Sequence, residues 1–333
     1  MSQHSVPEAR ERVLVTHRLP VRVEAELRAR FDVQLAEDDA PLTPEALARG
    51  LAECDAILPT VTDRMPASFF ARSAGAPPWR CRIIANFGVG VNHIALEAAS
   101  AAGIVVTNTP DVLTQDTADL TILLMLTLLR RSAEGERELR AGRWTGWRPT
   151  HLLGRRLSGR TLGIVGFGRI GRAVAQRARL GFGMHVLAWT RTIPTDPALR
   201  GGVEFVPALD ALLPRVDILS LHCPASPETR HLLDARALAL LRPEAVLINA
   251  ARGDVVDEAA LVDALERGRL AGAALDVFEH EPAVHPGLLR RDDVVLLPHQ
   301  GSGTVESREA MGLRAMENLF TFFAGAPPRD RVV

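Results

Sequence analysis

The sequence contains no lysine and no tyrosine, and only three cysteines among 333 residues. The absence of lysine excludes mechanisms that rest on a lysine Schiff base or a lysine general base. The cysteines, Cys54, Cys81 and Cys223, are far apart and match neither a C-x-x-C motif nor a zinc-ligand spacing. Each lies in or beside an apolar, strand-like run, so we interpret them as buried structural residues and expect a reducing compartment.

An excess of charge of one sign is also missing, because 39 basic and 40 acidic residues give a net charge of −1. Such a balance attracts neither nucleic acid nor a membrane surface, and we expect neither as a partner. The longest apolar run, residues 120–129, is too short to span a bilayer and is typical of a buried helix. Residues 1–7 are polar and lack a signal-peptide apolar region, so we expect a soluble, cytoplasmic protein.

The first third of the chain shows short apolar runs that alternate with helical patterns. Strands are predicted at residues 13–16, 56–58, 82–85 and 104–107. Helices are predicted over residues 21–31 and 43–53, with Thr43 as the capping residue and Pro44 in the first turn. This alternation is typical of an α/β fold with a parallel sheet and crossover helices.

The alternation restarts at Thr161 and continues almost to the end of the chain. Six strands are predicted, at residues 162–165, 185–189, 217–221, 245–249, 271–275 and 294–297. Six strands separated by helices match a complete dinucleotide-binding sheet. We expect one long helix over residues 113–140 between the two series, and a closing helix over residues 304–324. The length suffices for two domains of ordinary size.

The most specific motif is a G-x-G-x-x-G turn at Gly166, Gly168 and Gly171, which follows an apolar strand and opens a helix. Gly166 permits the tight turn, Gly168 lets a pyrophosphate approach the backbone, and Gly171 lets helix and strand pack closely. The helix begins at Arg169 and Ile170. Its N-terminus offers backbone N–H groups and the positive end of the helix dipole to phosphates. An ordinary strand–helix turn without a ligand is the alternative interpretation.

The tip of the second strand of this series indicates which dinucleotide binds. An NAD site usually has an acidic residue there, but this chain has Thr190, Arg191 and Thr192. A guanidinium pairs with a 2′-phosphate, and hydroxyls can donate to it. We therefore expect NADP(H) to be preferred, with NAD(H) possible. In the alternative interpretation, Arg191 is a solvated loop residue that stacks on adenine.

Three later segments, residues 249–257, 274–282 and 298–304, resemble the signature blocks of the D-2-hydroxyacid dehydrogenases. Residues 86–94 resemble the substrate loop of that family, and residues 108–114 resemble its interdomain crossover. Several motifs in the family's order, spread over nearly the whole chain, make the resemblance specific.

The resemblance implies two doubly wound parallel-sheet domains. A Rossmann cofactor domain, residues 108–298, would be inserted into a flavodoxin-like catalytic domain formed by residues 1–107 and 299–333. The active site would lie in the cleft between them, and domain closure would exclude water. The resemblance also implies a homodimer built across the cofactor domains, with the helix over residues 113–140 in the interface.

The resemblance further implies the catalytic residues. Arg252 would bind the carboxylate of a 2-oxoacid through its planar guanidinium, with help from the backbone N–H groups of Val89 and Gly90. His299 would donate the proton to the forming alkoxide, and Glu281 would orient the imidazole. Each of these residues alone has an ordinary structural alternative, such as a surface arginine, a solvated turn glutamate or a loop histidine.

Other residues follow from the same resemblance. Ala250, Ala251 and Asp276 would contact the cofactor, and Asp276 would orient its nicotinamide or ribose. The acidic residues form no metal-ligand pattern, so no metal is expected. The family often has an aliphatic residue at Gln300 and an alanine at Gly303, and these departures bear on substrate preference rather than on the reaction class.

The segment 142–149, which includes Trp144 and Trp147, is similar to the glyoxylate and hydroxypyruvate reductase branch. It predicts a small 2-oxoacid substrate, while dimer packing is the alternative role of the two tryptophans. Two other functions stay open at this point. One is another dehydrogenase of the same fold, for a different 2-oxoacid, for phosphoglycerate or for formate. The other is a dinucleotide-sensing binding protein similar to the corepressors that share the fold.

Overall fold

The computed structural model describes residues 10–37, 40–72 and 77–333. The expectation about a signal peptide in residues 1–7 lies outside these residues. The chain divides into two units, the first formed by Met1–Leu113 with Thr304–Val333 and the second by Thr114–Gly303. The sequence places the domain boundaries after residues 107 and 298, a few residues earlier than the divisions between the two units.

The first unit contains a parallel sheet of five strands. They are β1 (Arg12–Val15), β2 (Asp32–Leu35), β3 (Ala56–Leu58), β4 (Ile83–Ala85) and β5 (Val105–Thr107). The strand order β2-β1-β3-β4-β5 is the flavodoxin-like one. Strand β2 was not predicted, because it lies at the edge of the sheet and its residues are exposed or half-buried rather than apolar and buried.

The helices of this unit are α1 (Val21–Arg30), α2 (Pro44–Glu53), α3 (Ala67–Phe70) and α4 (Leu96–Ala101). Thr43 caps α2 as the sequence predicts, because its hydroxyl accepts a hydrogen bond from the backbone amide of Ala46. The buried side chains Leu47 and Leu51 of α2 pack with Ile57 of β3 in one apolar cluster. Burial of such side chains is the main stabilising contribution to a sheet of this kind.

The second unit contains a parallel sheet of seven strands. They are β6 (Thr161–Val165), β7 (His185–Trp189), β8 (Glu204–Phe205), β9 (Ile218–Leu221), β10 (Val246–Asn249), β11 (Gly272–Leu275) and β12 (Val294–Leu296). The order β12-β11-β10-β9-β6-β7-β8 is that of a dinucleotide-binding sheet with one further strand at β12. Six of the strands match the predicted ones. Strand β8 was missed, because it has only two residues and neither is buried.

Helices cover both faces of this sheet, and an apolar cluster fills each side. They are α5 (Thr114–Leu129), α6 (Ser132–Arg140), α7 (Arg169–Phe182), α8 (Pro197–Arg200), α9 (Leu209–Leu212), α10 (Ala235–Leu238), α11 (Glu258–Glu266) and α12 (Pro286–Leu289). Two short 3-10 turns, Leu213–Arg215 and Gly253–Val255, complete the unit. The sheet places the carboxyl ends of β6, β7, β9 and β10 along one edge.

The single helix predicted over residues 113–140 is wrong, because the chain breaks it into α5 and α6. Arg131 adopts a left-handed conformation, with φ 52° and ψ 33°. The carbonyl of Leu129 accepts the backbone N–H of Arg155 at 2.8 Å instead of one from the next helical turn. A Cβ at Gly154 would lie 2.3 Å from that carbonyl oxygen. The crossing segment 154–155 therefore ends α5, and apolar periodicity gives no sign of it.

The last helix, α13 (Val305–Phe323), belongs to the first unit. Thr304 caps it through its hydroxyl, which accepts the amide of Ser307 at 3.1 Å. Arg314 of α13 and Asp330 form a largely buried ion pair at 2.9 Å, and the side-chain amide of Asn318 also donates to Asp330. Within the part of the chain that the structure describes, no helix is both long enough and apolar enough to cross a bilayer.

All three cysteines are free thiols. Cys54 and Cys81 are buried, which confirms their structural interpretation, and Cys223 is half-buried. Burial raises the pKa of Cys81 to about 12 and that of Cys223 to about 11. The reactive thiolate form of these two residues is therefore scarce at neutral pH.

Candidate active site

The glycine turn between β6 and α7 has the geometry of a phosphate-binding turn. Gly166 has a φ of +90°, and a Cβ there would lie 2.7 Å from the carbonyl carbon and oxygen of His222. A Cβ at Gly171 would lie 2.3 Å from the carbonyl oxygen of Gly166. At Gly168, by contrast, no atom of the described residues apart from Gly168 itself and its neighbours in the chain lies within 4 Å of the Cβ position. A pyrophosphate can therefore approach the backbone at Gly168.

The N-terminus of α7 lies directly after this turn. Its N-cap residue is Gly168, which has no side chain with which to cap the first amides, and the helix begins with Arg169 and Ile170. A helix of 14 residues presents the positive end of its dipole at this point. Together with the open space at Gly168, this arrangement fits the phosphates of a dinucleotide.

The residues after β7 are Thr190, Arg191 and Thr192, and the side chain of Arg191 is exposed. The hydroxyl of Thr190 lies 3.4 Å from the carbonyl oxygen of Thr192, so this turn is compact. Sequence reasoning did not consider Glu228, whose pKa is lowered by a hydrogen bond from Ser226 and, to a smaller extent, by the charge of Arg191. The strand tip thus carries a guanidinium and two hydroxyls, and the charge of the guanidinium acts on the carboxylate of Glu228.

Two of the predicted catalytic residues are in direct contact. Nδ1 of His299 lies 2.8 Å from Oε2 of Glu281, and the amide of Phe278 donates to Oε1 at 3.0 Å. Burial alone would raise the pKa of Glu281, but the hydrogen bond and the charge of His299, the Phe278 amide and the charge of Arg252 outweigh it. The pKa of Glu281 is consequently lowered from its ordinary value. Glu281 is therefore ionised at neutral pH and accepts a proton-bearing Nδ1.

The segment that carries His299 is held by Asp276. The backbone of His299 is left-handed, with φ 53°, and its amide donates to the carbonyl of Asp276 at 2.8 Å. The Asp276 carboxylate accepts the amides of Gln300 and Gly301 at 2.6 and 2.8 Å. Burial raises the pKa of Asp276, although these two amides oppose the shift. These bonds fasten residues 299–301 to the second unit, which explains why the unit extends beyond residue 298.

Sequence reasoning assigned Asp276 to the cofactor, whereas the structure shows both of its carboxylate oxygens in contact with backbone amides. Its side chain is 1% exposed. A role of Asp276 in cofactor binding stays a prediction. The observed role is to position the histidine segment, and only tertiary contacts reveal it.

Arg252 follows β10 on a short loop that Asn249 closes. The side chain of Asn249 accepts the amide of Ala251 at 3.0 Å and donates to the carbonyl of Arg252 at 2.9 Å. The guanidinium of Arg252 donates to the carbonyl of Ala251 at 2.6 Å. Burial lowers the pKa of Arg252, while the charges of Glu281 and Asp254 oppose the shift. An arginine keeps its charge in such a place and favours an anionic partner.

The loop of Arg252 and the loop of Glu281 touch at Gly253. A Cβ at Gly253 would lie 1.9 Å from the carbonyl carbon and oxygen of Phe278, so only glycine fits this contact. The structure thus brings Arg252, Glu281 and His299 together in the second unit, and Ala250 and Ala251 lie on the same loop as Arg252. Sequence reasoning missed Asn249 and Gly253, although a polar residue at the end of an apolar strand was a signal for Asn249.

Val89 and Gly90 lie in the first unit, after β4. The side-chain amide of Asn86 donates to the carbonyls of Gly88 and Gly90 at 3.0 Å, and His93 contacts the other end of that side chain at 3.0 Å. The side chain of Asn108 donates to the carbonyl of Val89 at 2.9 Å. These hydrogen bonds fix the loop through its backbone carbonyl groups. Binding of a substrate by the amides of Val89 and Gly90 stays a prediction.

The described residues include no group of three or more histidine, cysteine, aspartate or glutamate side chains that could hold a metal ion. The site itself contains an arginine, a histidine and carboxylates. These residues can bind an anion, exchange a proton at an imidazole nitrogen and stabilise the charged imidazole.

Comparisons with known proteins identify the family of the chain. Residues 122–301 match the family described as "D-isomer specific 2-hydroxyacid dehydrogenase, NAD binding domain". A glyoxylate reductase of Thermococcus onnurineus is 42% identical over 321 residues, which cover 95% of this chain and 94% of that protein. A glyoxylate reductase of Korarchaeum cryptofilum is 41% identical over 324 residues, which cover 96% and 95%.

Solved structures give the same result. An NADPH-dependent glyoxylate/hydroxypyruvate reductase from Sinorhizobium meliloti, crystallised with NADP and malonate, is 38% identical with a TM-score of 0.86 and covers 98% of this chain and 97% of that one. A structure from Polaromonas, described as a D-isomer specific 2-hydroxyacid dehydrogenase, NAD-binding, is also 38% identical. Its TM-score is 0.88, and the match covers 97% of this chain and 99% of that one. The fold, the site and these similarities show that the chain belongs to the family of D-isomer-specific 2-hydroxyacid dehydrogenases, among the relatives of the glyoxylate reductases.

Proposed function

We propose that the protein catalyses the NAD(P)H-dependent reduction of glyoxylate or hydroxypyruvate to the corresponding 2-hydroxyacid. The contact of 2.8 Å between His299 and Glu281, in the unit that also carries the glycine turn and Arg252, is the observation that carries the proposal. The relatives named as glyoxylate reductases, over nearly the full length of the chain, support the choice of substrate.

The reaction requires an anchor for the substrate carboxylate, and Arg252 supplies it. Its guanidinium offers two parallel N–H donors to a carboxylate or to a carboxylate and the adjacent carbonyl oxygen. The bonds from the Asn249 side chain to the backbone of Ala251 and Arg252 hold this loop at the end of β10. A bound 2-oxoacid is thereby oriented with its carbonyl carbon at a fixed position relative to the other groups.

His299 exchanges a proton with the substrate in this proposal. Because Nδ1 is bonded to the Glu281 carboxylate, Nε2 is the ring nitrogen that exchanges a proton with the substrate oxygen. In reduction, Nε2 of the imidazolium donates its proton to the alkoxide that forms at C2. In oxidation, the neutral ring accepts that proton at Nε2. Glu281 stabilises the charged ring and fixes the tautomer of the neutral one.

The dinucleotide would lie against Gly166, Gly168 and Gly171, with its phosphates at the N-terminus of α7. The bound dinucleotide supplies the hydride that reduces C2 of the substrate. Ala250 and Ala251, on the loop after β10, are further residues that we propose to contact it. The open space at Gly168 is the structural feature that supports this placement.

NADPH is the preferred form of the cofactor in this proposal. Thr190, Arg191 and Thr192 follow β7 where a 2′-phosphate would lie, and a guanidinium favours that group. The Sinorhizobium meliloti relative, described as NADPH-dependent, was crystallised with NADP. NADH remains a possible second cofactor, because its ribose hydroxyls can still bond to the hydroxyls of the two threonines.

A homodimer is part of the proposal. Large apolar side chains are exposed on α5, α6 and the segment after them, among them Leu139 at 61%, Trp144 at 52% and Trp147 at 82%. Exposed apolar residues in such number are typical of a subunit interface. Light scattering coupled to gel filtration should therefore give twice the single-chain mass of 36.1 kDa. A mass of one chain would contradict the dimer and leave the reaction untouched.

The reaction is tested by following the absorbance of reduced nicotinamide with glyoxylate and with hydroxypyruvate, each with NADPH and with NADH. We expect turnover of both acids, faster with NADPH. Faster turnover with NADH would contradict the cofactor preference alone. Far higher kcat/KM for a bulky or branched 2-oxoacid would contradict the substrate class. Dinucleotide binding without turnover of any 2-oxoacid would favour a sensing protein.

A further inference from the structure

A second group of titratable side chains lies beside the loop that carries Glu281. Nε2 of His231 donates to Oε1 of Glu279 at 2.6 Å, and the guanidinium of Arg230 lies 3.6 Å from the same oxygen. The Glu279 side chain is 11% exposed, whereas that of His231 is 31% exposed. A bond between an imidazole and a largely buried carboxylate is stronger than one between exposed groups.

The backbone of His231 is held in place by a neighbouring segment. The amide of His231 donates to the carbonyl of Asp254 at 2.8 Å, and the amide of Leu233 donates to the carbonyl of Val255 at 3.0 Å. His231 itself is left-handed, with φ 48°, a conformation that is unfavourable for a residue other than glycine. The surrounding bonds therefore fix the direction of the imidazole toward Glu279.

Glu279 also exchanges bonds with Glu258, the first residue of α11. The amide of Glu279 donates to Oε1 of Glu258 at 2.8 Å, and the amide of Glu258 lies 3.5 Å from Oε2 of Glu279. Burial raises the pKa of Glu258, and the charge of Glu279 adds to the shift, whereas amides and the ring of His285 oppose it. Asp257 is a further charged group at the cluster, and its Oδ2 lies 4.0 Å from Nδ1 of His231.

These contacts connect the two loops of the active site. Glu258 lies six residues after Arg252, and Glu279 lies two residues before Glu281. The loops also touch directly at Gly253 and Phe278, and the amide of Phe278 donates to Glu281. We propose that Glu279, held by His231, is a positioning residue that keeps the Glu281 loop against the Arg252 loop, so that Glu281 meets His299 in the correct geometry.

The proposal rests on the proposed function for the roles of Arg252, Glu281 and His299, but the placement of the loop does not depend on turnover. Two readouts therefore test it on the full-length protein. Hydrogen exchange reports how firmly the amides of residues 278–281 are held. Steady-state kinetics with glyoxylate and NADPH separate kcat from the KM for the cofactor.

The variants are Glu279→Ala, His231→Ala, their double variant and His231→Gln, whose side-chain amide can still donate to Glu279. In Glu279→Ala and His231→Ala, we expect exchange of the amides of residues 278–281 to rise about tenfold or more. We expect kcat to fall about 10- to 100-fold with an unchanged KM for NADPH, because the loss is one of geometry. The double variant should be no worse than the worse single variant, and His231→Gln should recover most of the activity.

Arg236→Ala provides the matched control, since it breaks an exposed ion pair with Asp210 of α9 in the same unit. In this variant, the hydrogen exchange of the amides of residues 278–281 and kcat should remain those of the wild type. If His231→Ala and Glu279→Ala match this control, or if their effects on kcat add, the proposal is overturned. If Glu279→Ala does not fold, Glu279→Gln and the His231 variants decide. If the wild type lacks turnover, the proposed function has failed, and hydrogen exchange alone decides whether Glu279 holds the loop.

Discussion

Nδ1 of His299 and Oε2 of Glu281 lie 2.8 Å apart, and the amide of Phe278 holds the other oxygen of that carboxylate at 3.0 Å. The Glu281 carboxylate is therefore held by the backbone of its own loop as well as by the imidazole. One ring nitrogen is occupied, and the other is defined as the site of proton exchange. The different roles of Nδ1 and Nε2 in the proposed reaction follow from this single contact.

Replacement of Glu281 by Gln should impair proton transfer and leave cofactor binding intact. The amide cannot stabilise the imidazolium as a carboxylate does, and it can present its NH₂ to the ring, which disfavours the correct tautomer. We expect kcat for glyoxylate reduction to fall about 100-fold or more, with a shifted pH profile of kcat/KM. The measurement is steady-state kinetics over a range of pH, with fluorescence titration of NADPH as the control for binding. An unchanged pH profile would contradict the role of Glu281.

Replacement of Arg252 by Lys should show that the planar guanidinium matters, not only the charge. The ammonium group of lysine is a compact point charge and cannot make two parallel N–H bonds to a carboxylate. We expect kcat/KM for the 2-oxoacid to fall about 100-fold, because an interaction with a charged group contributes about 1.5–3 kcal/mol. The KM for NADPH should stay unchanged. Equal kcat/KM in both proteins would mean that the carboxylate binds elsewhere.

Much of the fold was predictable because apolar periodicity determines it. The buried strands β6 and β10 are continuous apolar runs in the sequence, and they were placed within a residue of their observed bounds. Strands β2 and β8 were missed, because edge strands lack buried residues and resemble loops. The break between α5 and α6 was also missed, since it results from the distant residues Gly154 and Arg155 rather than from local propensity.

The candidate catalytic residues were proposed from motifs, whereas the residues that hold them in place were visible only in the structure. Arg252, Glu281 and His299 stand in short distinctive segments. The bonds of the Asn249, Asp276 and Glu258 side chains with backbone amides depend on loops that meet only in the folded chain. A sequence shows that a carboxylate is present, but it does not show whether that carboxylate bonds to a ligand or to the protein backbone.

Replacement of Arg191 by Ala should reduce the preference for NADPH. The variant lacks the guanidinium that would pair with a 2′-phosphate, and NADH carries no such group. We expect the KM for NADPH to rise about tenfold or more, while the KM for NADH changes little. Arg267→Ala, which removes an exposed arginine at the end of α11, serves as the control. Parallel changes in both KM values would contradict a role of Arg191 at the 2′-phosphate.

The ion pair between Arg314 and Asp330 should make the stability of the first unit depend on pH. Burial would raise the pKa of Asp330, but the bonds from Arg314 and Asn318 outweigh it and lower the pKa below its ordinary value of 3.8. A depressed carboxyl pKa stabilises the folded state above the unfolded-state pKa, and this contribution is lost as the pH falls through the folded-state value. The contribution should therefore be complete at neutral pH and decline below about pH 4.

Asp330→Asn tests this expectation, since it removes the buried carboxylate partner of the largely buried Arg314 and leaves it the longer contact of 3.6 Å with the exposed Glu317. We expect the free energy of unfolding at pH 7 to fall by about 3 kcal/mol. Because the wild type itself loses the ion pair in acid, the difference between the two proteins should shrink toward about pH 3. The control is Asp32→Asn, which breaks an exposed pair with Arg12 and should cost less than about 1 kcal/mol. Urea unfolding followed by circular dichroism measures these differences, and one that stays constant from neutral to acid pH would show that the Asp330 carboxylate does not stabilise the unit through its charge.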